Sequence, residues 1–154
     1  MGPVVVDYAV TSLSGSGTTP TGGTAIGETF TIQNQGTDAG AGQVFWTAYM
    51  STDNILDAAD TPVDAGMTSA LAGGASSAAI DIGSGVWPLV SGATAYWLFV
   101  EVTAADDLAT GNNTQSAGVT VQPRNVDYAV SVPTANNSPA ASGSNRRRGR
   151  GGVS

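Results

Sequence analysis

The sequence predicts an all-β protein, a sandwich of two sheets with about seven strands. Short apolar runs rich in β-branched and aromatic residues alternate with loops rich in Gly, Asn, Ser and Thr. No stretch of about ten residues shows a 3.6-residue apolar period with helix caps. Of the 154 residues, 41% are hydrophobic, which is enough for one folded domain with its own core. Short strands separated by turn signals favour a sandwich over a barrel.

The predicted strands are bounded by turn residues such as Gly, Pro and Asn. Two of them, at residues 43–51 and 93–103, are apolar on both faces, which places them in the middle of the structure. The others cover residues 4–13, 26–33, 78–82 and about 117–121, with a short edge strand at residues 63–67.

Four aromatic side chains are predicted to share the outer face of one sheet. In a sandwich of this kind, the strands at 43–51 and 93–103 are neighbours, and alternation then sends Trp46 and Leu98 inward. We call the outward set the outer aromatic face: Phe45, Tyr49, Trp97 and Phe99. An uncharged aromatic patch typically marks an interface, so we predict that another copy of the chain covers it. The alternative is a glycan ligand whose sugar rings stack on Tyr49 and Trp97.

The charged residues are segregated along a chain whose formal net charge is −7. All five basic residues are arginines, at position 124 and within 146–150, so everything before them carries acids and no base. Such a body repels nucleic acid and anionic membranes and attracts cations. We therefore expect no nucleic-acid partner, and the terminal arginines are interpreted as contacting the module or a neighbouring copy. No apolar run reaches about 18 residues, so we expect no membrane span.

Cysteine, lysine and histidine are missing altogether. Their absence removes thiolate metal sites, Schiff-base chemistry and Ser-His-Asp triads. We therefore expect a protein that is not an enzyme and requires no cofactor.

An apolar strand runs directly into an acidic loop at residues 53–60, the first acidic loop. Ca²⁺ takes six to eight oxygen ligands from carboxylates, amides and backbone carbonyls, and a curved loop could gather them. The spacing is not that of an EF-hand, because its glycine and terminal glutamate are absent. Asp and Asn also cap turns by bonding their own backbone, which is the favoured interpretation. The candidate calcium ligands are Asp53, Asn54, Asp57 and Asp60.

A second acidic loop at residues 106–113 carries Asp106, Asp107, Asn112 and Asn113. Here too turn chemistry is favoured over metal binding.

The five residues VDYAV occur twice, at 6–10 and again at 126–130. The second copy follows the last predicted strand, where another module of a tandem array would begin. We predict a domain at residues 4–123, a repeated strand at 124–132 that starts a second module or is donated to a neighbour, and a polar, Arg-containing tail at 133–154. An unpaired strand seeks a sheet edge, so Val126, Tyr128 and Val130 are predicted to pair with an adjacent subunit.

Four motifs, in order, carry a resemblance to a known family. They are TFTIQNQGTDAGAG, AYMSTDNILDAADTPV, SALAGGASS and GNNTQSAGVTV. With them the chain resembles the CARDB family, a cell-adhesion-related domain of bacterial and archaeal surface proteins. It departs from the family pattern at Asp106 and Asp107, where glutamates usually precede the Asn pair.

The resemblance implies an immunoglobulin-like β-sandwich, often in tandem, without catalytic residues. We therefore expect a non-enzymatic structural or adhesive module, extracellular or at a prokaryotic cell surface. It would be one unit of a tandem surface protein, or a filament subunit assembled by strand pairing and the outer aromatic face. The alternative is a carbohydrate-binding accessory module of a secreted or surface protein.

Overall fold

The computed structural model describes residues 2–125, which form two antiparallel sheets and almost no helix. The predicted all-β sandwich of about seven strands is confirmed. A 3-10 turn at Thr110–Asn112 precedes the last strand. The strands are β1 (Tyr8–Leu13), β2 (Thr29–Asn34), β3 (Val44–Ser51), β4 (Thr61–Thr68), β5 (Ile80–Asp81), β6 (Thr94–Thr103) and β7 (Thr114–Val121).

One sheet has the strand order β1-β2-β5, and the other has the order β4-β3-β6-β7. The predicted pairing of the two most apolar strands is confirmed, since β3 and β6 align from Phe45 opposite Thr103 to Ser51 opposite Trp97. The predicted edge strand is also confirmed, and as β4 it is longer than residues 63–67.

The strands predicted at residues 4–13 and 78–82 are markedly shorter in the structure. Residues 4–13 were expected to form one strand, but the chain before Tyr8 follows the turn after β2 instead. There Val5 O accepts from Asp38 N at 3.0 Å, and Asp7 O accepts from Gln35 N at 2.6 Å. Strand β5 has only two residues. The residues that flank it in the sequence bond to β2 without regular strand pairing, as in the 2.7 Å bond from Ser77 N to Ile32 O.

The core lies between the sheets and is filled from both inner faces. Phe30 of β2 meets Trp46 of β3 edge-on, with ring centroids 5.0 Å apart, a favourable aromatic geometry. A loop residue, Trp87, completes the core and is only 1% exposed. The sandwich therefore depends on a residue that belongs to no strand.

The edge of β7 is covered by the segment at residues 17–22. That segment runs alongside β7 through bonds from Gly17 N to Gly118 O (2.8 Å) and from Thr120 N to Thr18 O (3.1 Å). A further strand could pair with this part of β7 only by displacing the segment.

The opposite edge, β4, is protected by a carboxylate. Asp64 accepts backbone bonds from Ala65 N (2.8 Å), Gly83 N (2.9 Å) and Ser84 N (3.1 Å). Pro62, which has no N–H to offer, stands on the same strand. Charge and proline at an edge are common devices against unwanted strand pairing. Asp64 also ties β4 to the segment after β5 in the other sheet.

Candidate functional sites

The first copy of the repeated pentapeptide, residues 6–10, lies in a groove that is shaped around its tyrosine; we call this groove the β1 socket. The Tyr8 hydroxyl accepts a bond from Leu71 N at 3.2 Å. Gly40 leaves room for that hydroxyl, because a Cβ at Gly40 would overlap it. Buried positions make up four of the five residues: Val6, Tyr8, Ala9 and Val10.

The remaining residue of the pentapeptide, Asp7, is held by polar contacts. Its N–H donates to Asn34 Oδ1 (3.1 Å), and its carboxylate accepts from Asn112 Nδ2 (2.8 Å). The neighbouring Tyr8 N donates to the buried carboxylate of Asp107 at 3.3 Å. Asp7 and Tyr8 thus have specific polar partners, and the other three side chains of the pentapeptide are buried in the groove.

The register of β3 and β6 puts the four residues of the outer aromatic face on one side of the sheet, where they differ in exposure. Phe45 is 47% exposed, and Tyr49 and Trp97 are half-buried. Phe99 is only 5% exposed, so it offers little surface to a partner, and its part in an interface stays a prediction. It lies in the centre of the sheet opposite Tyr49 and Ser116, where neighbouring side chains shield it.

Two further features shape this face. Met67 of β4, opposite Phe45 and 57% exposed, extends the apolar area to the sheet edge. The Trp97 ring lies over Gly118, where an added Cβ would come within 3.1 Å of it. The available face is therefore Phe45, Tyr49, Trp97 and Met67.

The other predicted interface residues, Val126, Tyr128 and Val130, lie outside the described residues, as does the tail. The predicted domain boundaries therefore stay a prediction.

The first acidic loop brings three of its four predicted ligands to one cleft. Asp53, Asp57 and Asp60 line a cavity of roughly 400 Å³ at one end of the sandwich, with Tyr96 on its wall. Asn54 is turned elsewhere, since its Oδ1 accepts from Ser116 Oγ on β7 at 3.0 Å.

Each carboxylate of this cleft caps its own turn. Asp53 Oδ1 accepts from Ile55 N (3.0 Å), Asp57 Oδ1 from Ala59 N (2.8 Å), and Asp60 Oδ2 from Asp57 N (2.8 Å). This is the turn chemistry that the sequence favoured. Within residues 2–125, no three acidic side chains stand close enough to hold a metal ion by themselves. Calcium at Asp53, Asn54, Asp57 and Asp60 stays a prediction.

The second acidic loop is a buried polar network. The Asp107 carboxylate, 6% exposed, accepts from Ala109 N (3.0 Å) and from Asn113 Nδ2 (2.9 Å). Asp106, on the other side of the loop, accepts from Ala41 N at 2.8 Å. Sequence analysis identified these residues but not their burial, and it missed Asp64 and Trp87.

Comparison with solved structures shows that the fold is that of a CARDB domain. A domain described as part of a cell surface protein of Methanosarcina acetivorans superposes with a TM-score of 0.55 at 23% identity, over 81% of this chain and 99% of that one. The CARDB domain of a Pyrococcus furiosus protein, crystallised in complex with di-metal ions, superposes with a TM-score of 0.57 at 12% identity. The match covers 80% of this chain and 100% of that domain. The predicted resemblance to CARDB domains is confirmed for the fold.

The same sandwich also occurs inside larger proteins. A β-glucosidase of Listeria innocua matches with a TM-score of 0.50 at 16% identity, over 79% of this chain but only 17% of the enzyme. No protein-family model matches the chain, and no curated protein matches it. At these identities the likeness concerns architecture alone. In the part of the chain that the structure describes, no helix is long and apolar enough to cross a membrane.

Proposed function

We propose that the chain is a non-enzymatic structural or adhesive module of a prokaryotic cell surface, where it is joined to further copies or modules of its kind. The neighbours in fold, a CARDB domain and a domain described as part of a cell surface protein, support this class of protein. One observation carries the proposal: the repeated pentapeptide reproduces the residues that the β1 socket recognises.

The repeat is informative because its aspartate and its tyrosine have specific side-chain contacts in the first copy. The Tyr8 hydroxyl uses the space at Gly40 and the N–H of Leu71, and the Asp7 carboxylate accepts from Asn112. Tyr128 and Asp127 stand at the corresponding places of the second copy. The second copy is therefore suited to a groove of this kind, in a following module or in a neighbouring chain.

Donation to a neighbour explains how identical chains would assemble. Residues 126–132 of one copy would pair with a sheet of the next by β-augmentation, and repetition gives a head-to-tail polymer. Because the edge of β7 is covered and β4 carries Asp64 and Pro62, we place the acceptor at the position of β1, where the donated strand would displace the acceptor chain's own residues 6–10. The apolar face formed by Phe45, Tyr49, Trp97 and Met67 would supply a second contact.

A chain that ends at Pro123 is expected to be a folded monomer, whereas the full-length chain assembles as its concentration rises. The reason is that truncation removes the donated strand and leaves the described core intact. Sedimentation velocity over a concentration series measures the difference, and circular dichroism checks the fold. Tyr128→Ala in the full-length chain is the matched point variant and should weaken assembly too. Continued assembly of the truncated chain, or a monomeric full-length chain at high concentration, would refute strand donation.

Trp97→Glu is expected to abolish assembly while the monomer stays folded. Each large side chain that is fully covered contributes roughly 1.5–3 kcal/mol to the free energy of association. A carboxylate at position 97 would instead lose its hydration in the interface, which opposes association. Light scattering measures assembly, and Ala79→Glu, at an exposed position before β5 and outside this face, is the control for added charge. Assembly unaffected by Trp97→Glu would contradict the interface. Glycan-array binding that is lost in Trp97→Ala would instead support the carbohydrate-binding alternative.

A further inference from the structure

The chain enters the sandwich at one end and leaves it at the other. Tyr8, the first residue of β1, donates from its N–H to Asp107, which follows the last residue of β6. Strand β7 runs antiparallel to β6, so its last residue, Val121, lies opposite Thr94 at the beginning of β6. We call the end at Tyr8 the entrance end and the end at Val121 the exit end.

The repeat extends beyond the pentapeptide. Residues 3–10 read PVVVDYAV and residues 123–130 read PRNVDYAV, so six of the eight positions are identical. The two differences are Arg124 in place of Val4 and Asn125 in place of Val5.

The domain holds its chain almost to the repeat at either end. At the exit end, Gln122 is still bonded to the domain, since its N–H donates to Pro20 O (2.8 Å) and its carbonyl accepts from Gly22 N (2.9 Å). At the entrance end, Val5 is already bonded to it. The Val5 N–H donates to Asp38 Oδ2 at 2.7 Å, and the Val5 carbonyl accepts from Asp38 N at 3.0 Å.

The connection between successive units of an assembly is therefore very short. Asn125 is the counterpart of Val5, so only Pro123 and Arg124 lie between the last residue held by one unit and the first residue held by the next. Three Cα-to-Cα steps of about 3.8 Å lead from Gln122 to Asn125, a span of at most about 11 Å. The exit end of one unit thus has to lie against the entrance end of the next.

An exposed leucine stands beside the connection at the exit end. Leu89 is 70% exposed. It lies close to Arg124, because a Cβ added to Gly23 would come within 3.0 Å of Leu89 Cδ2 and 3.4 Å of Arg124 Cδ.

The entrance end has an exposed leucine at the corresponding place. Leu108, 86% exposed, lines a cavity of roughly 340 Å³ together with Pro3, Val4 and Asp106. Because the second copy has Arg124 at the position of Val4, the connection brings a base to the cavity that carries the acid Asp106. Both apolar area and opposite charges are therefore available at this end.

Exposed apolar side chains are concentrated at the two ends. Of the large apolar side chains that are exposed within residues 2–125, only Phe45 and Met67 lie on the outer face of the larger sheet. The others lie at the ends: Val4, Val5 and Leu108 at the entrance, and Ile55, Val86 and Leu89 at the exit. Clustered apolar side chains of this kind are typical of an interaction surface.

We propose that successive units form a direct end-to-end joint, in which Leu89 of one unit packs against Leu108 of the next and Arg124 pairs with Asp106 of the next. This inference rests on the proposed assembly, because the next unit has to receive residues 126–130 as this one receives residues 6–10. It adds a surface that strand pairing alone does not require, since a long connection would leave both leucines in water. The joint holds successive units in a fixed orientation.

A pair of cysteines in the full-length chain tests the joint, because the natural sequence contains no cysteine. The variant with Leu89→Cys and Leu108→Cys, treated with a short thiol-reactive cross-linker, should give a ladder of covalent oligomers beyond the dimer on a denaturing gel. Either cysteine alone can give at most a dimer. The matched control combines Leu89→Cys with Ala79→Cys, at an exposed position before β5, and should give no ladder. Sedimentation velocity checks that each variant still assembles.

Charge substitutions measure what the joint contributes to assembly. Leu89→Glu and Leu108→Glu should each raise the concentration at half-assembly about tenfold, because a carboxylate replaces an apolar contact. Both leucines are exposed, so the melting temperature of the monomer should not change. Arg124→Gln should weaken assembly by a smaller factor, and adding Asp106→Asn to it should weaken assembly no further.

Two results would overturn the joint, and they are distinguishable. A full-length chain that assembles, while the Leu89→Cys, Leu108→Cys variant gives no ladder, would refute the joint and leave strand donation standing. A full-length chain that stays monomeric at high concentration would refute strand donation and the joint with it.

Discussion

Replacing Trp87 with alanine is expected to lower the free energy of unfolding by about 3–5 kcal/mol, the range for deleting a buried aromatic side chain. Trp87 is among the largest fully buried side chains of the described residues. Its backbone also holds the segment in place, donating to Thr24 O at 2.9 Å and accepting from Gly23 N at 2.7 Å. The alanine would leave a cavity between the sheets that this hydrogen-bonded segment cannot close. Urea unfolding followed by circular dichroism measures the loss.

Leu89→Ala, two residues further on, is the control for this prediction. Leu89 is 70% exposed, so its truncation should change the free energy of unfolding by no more than about 0.5 kcal/mol. An equal decrease in the free energy of unfolding of the two variants would mean that the segment around residues 87–89, and not the Trp87 indole, supports the core. A loss below about 1 kcal/mol in Trp87→Ala would contradict the described packing.

Trp87 shows why part of the core escaped sequence analysis. The tryptophan stands in the sequence GSGVWPLV, where glycine and proline predict a loop and no alternation marks an inward face. Alternation is readable in β3 and β6 because a strand has a period of two, and there the inward positions and the pairing were predicted correctly. A loop residue enters a core through contacts distant in sequence, which no local pattern encodes.

Contacts between residues distant in sequence also determine where the candidate site residues lie. The sequence placed Asp53, Asp57 and Asp60 together, since neighbours in a short loop cannot separate far. It could not show that Asn54 turns to Ser116, 62 residues away, or that Asp64 binds Gly83 and Ser84. It put Phe99 on the correct face of β6 but not in the shielded centre of the sheet, because exposure depends on the strands at either side.

Asn34→Ala is expected to destabilise the fold by about 3–5 kcal/mol, as much as the loss of Trp87. The Asn34 side chain is fully buried. Its Oδ1 accepts from Asp7 N (3.1 Å) and Gly36 N (3.0 Å). Its Nδ2 donates to Asp38 O (2.8 Å) and Leu71 O (3.0 Å). Alanine leaves four backbone groups without this partner, and each one that stays buried and unpaired costs about 1–3 kcal/mol.

Gln35→Ala is the matched control, because the neighbouring side chain is exposed and should cost no more than about 0.5 kcal/mol. Chemical unfolding of both variants, with hydrogen exchange at Asp7 and Gly36, distinguishes a local effect from a global one. A small decrease in the free energy of unfolding of Asn34→Ala would indicate that water replaces the amide.

Asn34 begins the NQGT motif that helped to carry the CARDB resemblance. Gly36 in that motif is required because a Cβ there would overlap Val5 O. The motif therefore encodes the junction of β1 with the turn after β2, which is why the resemblance predicted a fold more securely than an activity.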